Sequence, residues 1–293
     1  MQAIGRPDRN HDIGRLLVAC PDRPGIVATV TSFLHEFGAN IIHSNQHSTD
    51  PFRGQFFMRV EFFLEDLEGR EAALGDAFAP IARAMEMHCT FTVASRRKRL
   101  AIFASRSDHA LLELLLRIRA GDLDADLHCV ISNHEHIETT VKPLGIPFHY
   151  IPATAATRDE AEARAREVLG DRIDLVVLAR YMQVLSPAFL ARYPNRIINI
   201  HHSFLPAFVG ADPYRAAYDR GVKLIGATAH YVTQELDAGP IIEQDVMRVD
   251  HRHGIEDLRR IGRYVERAVL ARAVDWHVQD RVIVYENKTI VFS

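Results

Sequence analysis

The 293-residue sequence predicts an α/β protein in two parts: an N-terminal ferredoxin-like βαββαβ domain, then a C-terminal Rossmann-like domain built on a mostly parallel sheet. Three observations carry this expectation. Up to residue 94, strand-like and helix-like runs follow one another in the order βαββαβ. A short basic run, Ser95-Arg96-Arg97-Lys98-Arg99, then separates two apolar stretches. Beyond it, strands and helices alternate one for one, which calls for parallel strands covered on both faces.

In the first part, residues 13–20 read as a strand. Asp22-Arg23-Pro24-Gly25 is a turn that opens a helix, since proline is tolerated in a first helical turn. Ile26, Val30, Phe33, Leu34 and Phe37 recur at helical spacing, and Gly38 stops the helix as a C-terminal cap. Strands are predicted over 41–48 and 55–64, joined through Asp50-Pro51 and Gly54. A helix over 70–87 and a strand over 89–94 complete a domain spanning 1–95. The basic run reads as a solvated interdomain linker at the start of the second domain, 96–293.

In the second part, strands are predicted over 100–105, 126–132, 148–151, 173–179 and 197–200. Helices fall over 110–118, around Glu138, over 158–169 and after the start signal Ser186-Pro187. A strand pair over 224–232 and 241–249 encloses the loop that carries Asp237. A long helix over 255–276 and a small hairpin over 282–285 and 289–292 close the chain.

Composition narrows the function. The sequence is 47% hydrophobic and 25% charged with a net charge of -3, as expected of one or two globular domains in water. So balanced a charge argues against a nucleic-acid partner, and no apolar run is long enough to span a membrane. The N-terminal stretch lacks the apolar core of a signal peptide. Cys20, Cys89 and Cys129 are far apart and lie in apolar runs, so they read as buried thiols in a reducing cytoplasm. The clusters His134-Glu135-His136 and His251-Arg252-His253 lack helical HExxH spacing. His202 follows His201 directly and, on a strand, would face the other way. Most of the sixteen histidines read as solvated, and no metal is expected.

The chemistry gathers at Asn199-Ile200-His201-His202-Ser203-Phe204-Leu205-Pro206. An amide and an imidazole two residues apart on a strand share one face. They sit at a strand's carboxyl end, where open α/β sheets bind ligands. Leu236-Asp237-Ala238-Gly239-Pro240 adds a carboxylate on a turn. Amide, imidazole and carboxylate together can polarise a carbonyl, move a proton and activate water.

Two resemblances extend this reading. Residues 20–40, from Cys-Pro-Asp-Arg-Pro-Gly-Ile-Val through Phe-Gly-Ala-Asn, resemble an ACT domain. Such modules commonly bind small amino acids at an interface between paired modules. The resemblance implies an effector site from Asp22, Arg23, Pro24, Gly25 and Ile26 together with Gly38, Ala39, Asn40 and Ile41, and a homo-oligomer, dimer or tetramer. From about residue 100 onward the chain resembles the folate-dependent formyltransferase fold. The matching pieces are Val177-Leu178-Ala179-Arg180-Tyr181-Met182, Asn199-Ile200-His201 with Leu205-Pro206, and His230-Tyr231-Val232-Thr233 with Glu235-Leu236-Asp237-Ala238-Gly239-Pro240. The pairing of the two domains resembles the formyltetrahydrofolate deformylases. It implies hydrolysis of 10-formyltetrahydrofolate to tetrahydrofolate and formate, supplying formate for purine biosynthesis and balancing one-carbon pools. It also implies that Asn199, His201 and Asp237 are catalytic. The folate would lie between Arg180, Tyr181, Met182, Gln183, Val184 and Leu185 on one side and Thr233, Gln234, Glu235 and Leu236 on the other. No cofactor beyond the folate substrate is expected.

A transferase to an amine such as glycinamide ribonucleotide is the competing expectation, and a non-catalytic folate or amino-acid sensor is another. A transferase must seat a phosphate, and its sibling enzymes place a glycine-rich loop after the first strand for that purpose. Here that turn is Ser105-Arg106-Ser107-Asp108-His109, with no glycine and an aspartate that repels an anion. This departure favours water as the acceptor.

Overall fold

The computed structural model describes residues 9–50, 52–207 and 213–293. Pro51 of the predicted turn and most of the N-terminal stretch lie outside them. The first unit contains β1 (Ile13–Pro21), α1 (Ile26–Glu36), β2 (Asn40–Ser48), β3 (Gln55–Phe63), α2 (Leu67–Ala84) and β4 (His88–Val93). The strands form one antiparallel sheet in the order β2-β3-β1-β4, the ferredoxin-like arrangement expected from the sequence. Its core is the face where Leu16, Val18 and Cys20 meet Val30, Phe33, Leu34, Leu74 and Phe78. Gly38, at φ 90, ends α1: its N–H bonds to the His35 carbonyl and the Ala39 N–H to that of Leu34. That pair of bonds caps a helix through a left-handed residue, which glycine adopts without strain. α2 begins three residues earlier than the spacing predicts, at Leu67 after Asp66.

The second unit contains β5 (Lys98–Ala104), α3 (His109–Ala120), β6 (Ala125–Ser132), a one-turn α4 (Glu138–Val141), β7 (Phe148–Tyr150), α5 (Arg158–Leu169), β8 (Leu175–Ala179), α6 (Pro187–Arg192), β9 (Ile197–His201), α7 (Pro213–Arg220), β10 (Leu224–Tyr231), β11 (Ile241–Arg248) and α8 (Ile255–Val278). The hairpin β12 (Val282–Tyr285) and β13 (Lys288–Val291) follows. Seven strands pair in the order β11-β10-β9-β8-β5-β6-β7. Pairings from β9 through β7 are parallel, and β10 and β11 add antiparallel strands at one edge. Ala101, Phe103, Val176, Leu178 and Ile197 pack with Ala161, Ala165 and Phe189 of α5 and α6. The alternate residues Ile102, Val130 and Val177 are fully buried as well, so both faces of these strands are covered, as parallel strands require.

The structure corrects two features of the sequence reading. The basic run is not a solvated linker throughout, because Lys98 and Arg99 already belong to β5, paired with Ala125 and Asp126. Lys98 Nζ donates to the His277 carbonyl at 3.0 Å, and Arg99 Nη2 lies 2.7 Å from His128 Nδ1. The last residues also divide differently from a boundary at 95. The first unit takes residues 9–97 together with Gln279–Ile283 and Ile290–Ser293. Arg59 explains part of this, donating to the carbonyls of Asp280 (2.9 Å) and Gln279 (3.1 Å), while Thr92 Oγ1 donates to the Asp280 carboxylate at 2.9 Å.

One local device bears on the site. Ser186 caps α6, its Oγ accepting the Phe189 N–H at 3.2 Å. The same hydroxyl donates to buried Glu162 of α5, whose other oxygen accepts the Ser186 N–H at 2.7 Å. Ser186→Ala removes the cap and leaves a buried carboxylate short of a donor, so it is expected to lower stability by about 1–3 kcal/mol, read from urea unfolding.

Candidate active site

Two strands and one loop build the site. β9 carries Asn199 and His201 on one face, as the period of two requires. β10 runs antiparallel beside it and sets His230 directly opposite Asn199. After β10 the chain leaves the sheet and returns at Pro240, whose carbonyl accepts the Tyr231 N–H at 2.9 Å. Between these points Asp237 adopts φ 55, a left-handed conformation that aspartate tolerates better than most residues. Gly239 lets the loop close, because a Cβ there would lie 1.9 Å from the Tyr231 carbonyl oxygen. Asn287 Nδ2 donates to the Ala238 carbonyl at 2.9 Å and ties the loop from outside.

The loop delivers Asp237 between two imidazoles. Its Oδ2 is 3.2 Å from His201 Nδ1 and its Oδ1 is 3.6 Å from His230 Nε2. Hydrogen bonding from His201, then from His230, holds the Asp237 carboxyl well below the usual carboxylate range despite its partial burial. His230 Nδ1 lies 2.9 Å from the Tyr231 carbonyl oxygen. Asn199 Nδ2 lies 3.3 Å from His230 Nε2. His201 Nε2 is buried and has no hydrogen-bond partner. A buried polar atom without a partner at a cavity wall is a place for a ligand atom.

A cavity of about 330 Å³ opens on these groups. Arg180, Tyr181, Met182, Gln183, Val184 and Leu185 line one side, and Thr233, Gln234 and Leu236 line the other, with Asn199, His201, His202, His230 and Asp237. Glu235 does not line it, contrary to the sequence expectation. Its carbonyl accepts Thr233 Oγ1 at 3.1 Å, so it shapes the loop instead. Met182, Val184 and Leu236 are 56%, 59% and 67% exposed and form an apolar rim. Ser105, in the turn after β5, receives the Met182 N–H at 3.2 Å and donates to Asn133 Oδ1 at 2.6 Å.

Sequence reasoning missed His230 as a site residue. It lay in a quoted motif, but its place beside Asn199 follows from the β9–β10 register. His202 also differs from expectation. The strand ends at His201, so alternation stops, and the two rings lie 5.2 Å apart with His202 buried. Nor are most histidines solvated: seven of the sixteen are exposed, and His109, His128, His201, His230 and His277 are bonded within the fold. Among the described residues, no group of three or more His, Cys, Asp or Glu side chains is placed to hold a metal ion, and no helix is long and apolar enough to cross a membrane.

The residues expected around an effector are not brought together within one module. Asp22 to Gly25 stand at the start of α1, and Gly38 to Ile41 stand beyond its end. An 11-residue helix is about 16 Å long, more than a small amino acid spans. Asp22 accepts a hydrogen bond from Ser48, and Arg23 pairs with Glu86 at 2.6 Å. Ile26 and Ala39 are buried in the core, whereas Gly25, Gly38 and Asn40 are exposed.

Residues 98–274 match the formyl transferase family model, and residues 14–79 match the ACT domain. The second unit is thus a formyltransferase-fold domain. The chain is 57% identical to a formyltetrahydrofolate deformylase of Bacillus subtilis (strain 168), over 98% of this chain and 96% of that one. The crystal structure of a formyltetrahydrofolate deformylase from Pseudomonas syringae pv. tomato str. DC3000 superposes with a TM-score of 0.90 at 48% identity, covering 96% of this chain and 94% of that one. A glycinamide ribonucleotide transformylase from Symbiobacterium toebii covers 67% of this chain and 95% of its own, with a TM-score of 0.62 and 29% identity. The chain belongs to the formyltetrahydrofolate deformylase family.

Burial of His202 first, with the nearby Arg180 charge, pushes its pKa down from 6.5 to about 4. An imidazole with a lowered folded pKa resists protonation in the native state. Stability is unaffected above the unfolded value and is lost as pH falls from 6.5 towards 4. At about 1.4 kcal/mol per tenfold change in proton affinity, this group costs about 3 kcal/mol by the lower limit. The acid loss of stability measured by urea unfolding at a series of pH values is expected to be smaller by about that amount in His202→Asn.

Proposed function

We propose that this protein hydrolyses 10-formyltetrahydrofolate to formate and tetrahydrofolate, with Asn199, His201 and Asp237 in the catalytic roles and His230 positioning Asn199 and Asp237. The observation that carries the reading is His201 at the cavity wall, its Nδ1 held by Asp237 and its Nε2 left without a partner. With Nδ1–H donated to the carboxylate, neutral His201 presents a lone pair at Nε2. That nitrogen takes a proton from water as the water oxygen attacks the formyl carbon. The carbonyl oxygen becomes an oxyanion and accepts a hydrogen bond from the Asn199 amide, a donor worth roughly 100- to 1000-fold in rate. His201 then returns the proton to N10 as the C–N bond breaks, and formate leaves.

Asp237 is better suited to orienting His201 than to removing the proton itself, because a carboxylate held so low is a weak base. The apolar rim of Met182, Val184 and Leu236 supports binding of the flat pterin ring, with backbone groups of 180–185 and 233–236 as its polar partners. The reaction needs no cofactor besides its substrate and water. We place it in the cytoplasm, where the three unpaired thiols stay reduced.

The test is formate release from 10-formyltetrahydrofolate with and without glycinamide ribonucleotide. Formate independent of the nucleotide is expected, and consumption that requires the nucleotide without formate would overturn hydrolysis. Asp237→Asn should lower kcat by about 1000- to 10,000-fold by offering His201 the wrong partner, while tetrahydrofolate binding by fluorescence titration changes little.

The ACT module supports self-association and an amino-acid effector linked to one-carbon metabolism, such as glycine or methionine. Within one module the two halves of the expected site are a helix length apart, so we assign the complete site to a pair of modules. β2 is an edge strand with most residues exposed, a surface open to such pairing. Isothermal titration with a panel of amino acids should find one that binds, and silence across the panel would sink the effector.

A further inference from the structure

A buried ionic cluster stands against the cavity and takes no part in the chemistry above. Glu266, in the middle of α8, is 1% exposed. His109 Nε2 lies 2.8 Å from its Oε2, the Tyr214 hydroxyl donates to its Oε1 at 2.6 Å, and Arg180 Nε is 3.5 Å from Oε2. Burial works to raise the Glu266 carboxyl, but the His109 hydrogen bond and the Arg180 charge overcome it and hold the group ionised. Tyr214 reaches the carboxylate only because position 262, one turn earlier on α8, is glycine: a Cβ there would lie 1.9 Å from the tyrosine oxygen. The elements α3, α7, α8 and the end of β8 thus converge on one carboxylate.

Arg180 is the member that faces the cavity. It follows β8 directly at φ 62, where a side chain other than glycine is uncommon and strained. Its Nε and Nη1 are buried without a hydrogen-bond partner. The His202 ring continues the same wall, 5.2 Å from His201 and 5.9 Å from Tyr214. A strained backbone and a buried charge held by Glu266 yet short of hydrogen-bond partners are together costly for packing alone.

Resting on the hydrolytic reading of the preceding subsection, we propose that Arg180, held by Glu266, His109 and Tyr214, is the specificity-determining residue that admits water and not an amine to the formyl carbon. A guanidinium offers only donors. Water has two lone pairs, so one accepts from Arg180 while the other attacks. A neutral amine has one lone pair; once it accepts from Arg180 it has none left for the carbon. Because Glu266 neutralises the guanidinium, the wall presents donors without strongly binding anionic formate.

The test is partition of the formyl group between water and a small amine. The enzyme is given 10-formyltetrahydrofolate with glycinamide, and formate and N-formyl amine are measured separately. In the transfer, the C–N10 bond breaks, the amine nitrogen takes the formyl carbon, and the proton it loses ends on N10. The variant is Arg180→Gly with Glu266→Gln: glycine suits the left-handed backbone, and glutamine avoids an unpaired buried charge. The ratio of N-formyl amine to formate is expected to rise at least about tenfold over the unaltered enzyme, whatever the change in KM for the folate. Arg180→Lys, which keeps a positive charge against Glu266 but loses the planar fork, should show a smaller rise and guards against misfolding of the double variant. An unchanged ratio in both variants overturns the proposal, as does loss of both products while tetrahydrofolate still binds. Absence of formate from the unaltered enzyme would instead overturn the hydrolytic reading beneath it.

Discussion

The sharing of one carboxylate by two imidazoles is the constraint on which the site depends. Asp237 gains a hydrogen bond from His201 and a second contact from His230, and these outweigh the cost of its partial burial. That arrangement fixes which nitrogen of His201 is left without a partner. None of this can form unless β9 and β10 pair in their observed antiparallel register and the loop after Tyr231 closes on Pro240.

The cavity wall opposite that loop is secured in a comparable way. Residues 180–186 run from the end of β8 to the start of α6, and a buried carboxylate holds each end. Glu266 from α8 engages Arg180, and Glu162 from α5 engages the Ser186 N–H and hydroxyl. Buried charges of this kind add little net stability, since desolvation offsets most of the attraction. What they provide here is position: a loop with exposed apolar residues keeps a single course. Those exposed residues, Met182 and Val184 with Leu236 across the opening, form an apolar surface suited to a flat ring.

The first unit follows a different logic. Its core is an ordinary layer of helix on sheet, and its burial explains folding without explaining a ligand site. The residues that would meet an effector lie at both ends of α1. On the effector reading proposed above, a single module would present two halves of a site and a second copy would complete it.

Much of this protein was legible in its sequence because it rests on local rules. Apolar spacing located nearly every strand and helix, Gly38 and Ser186 marked helix ends, and the period of two placed Asn199 and His201 on one face. The motif around Leu236-Asp237-Ala238-Gly239-Pro240 announced the carboxylate. Tertiary structure alone decided the rest. His230 entered the site through strand register, His202 came beside His201 where the strand ended, and Glu235 stayed off the cavity wall. Lys98 and Arg99 became strand residues through pairing with β6, not through their own preferences. Arg180, His109, Tyr214 and Glu266 stand far apart in sequence and share no pattern. Periodicity reports how a residue relates to its neighbours along the chain, whereas a hydrogen bond between distant elements depends on where the whole sheet and its helices come to rest.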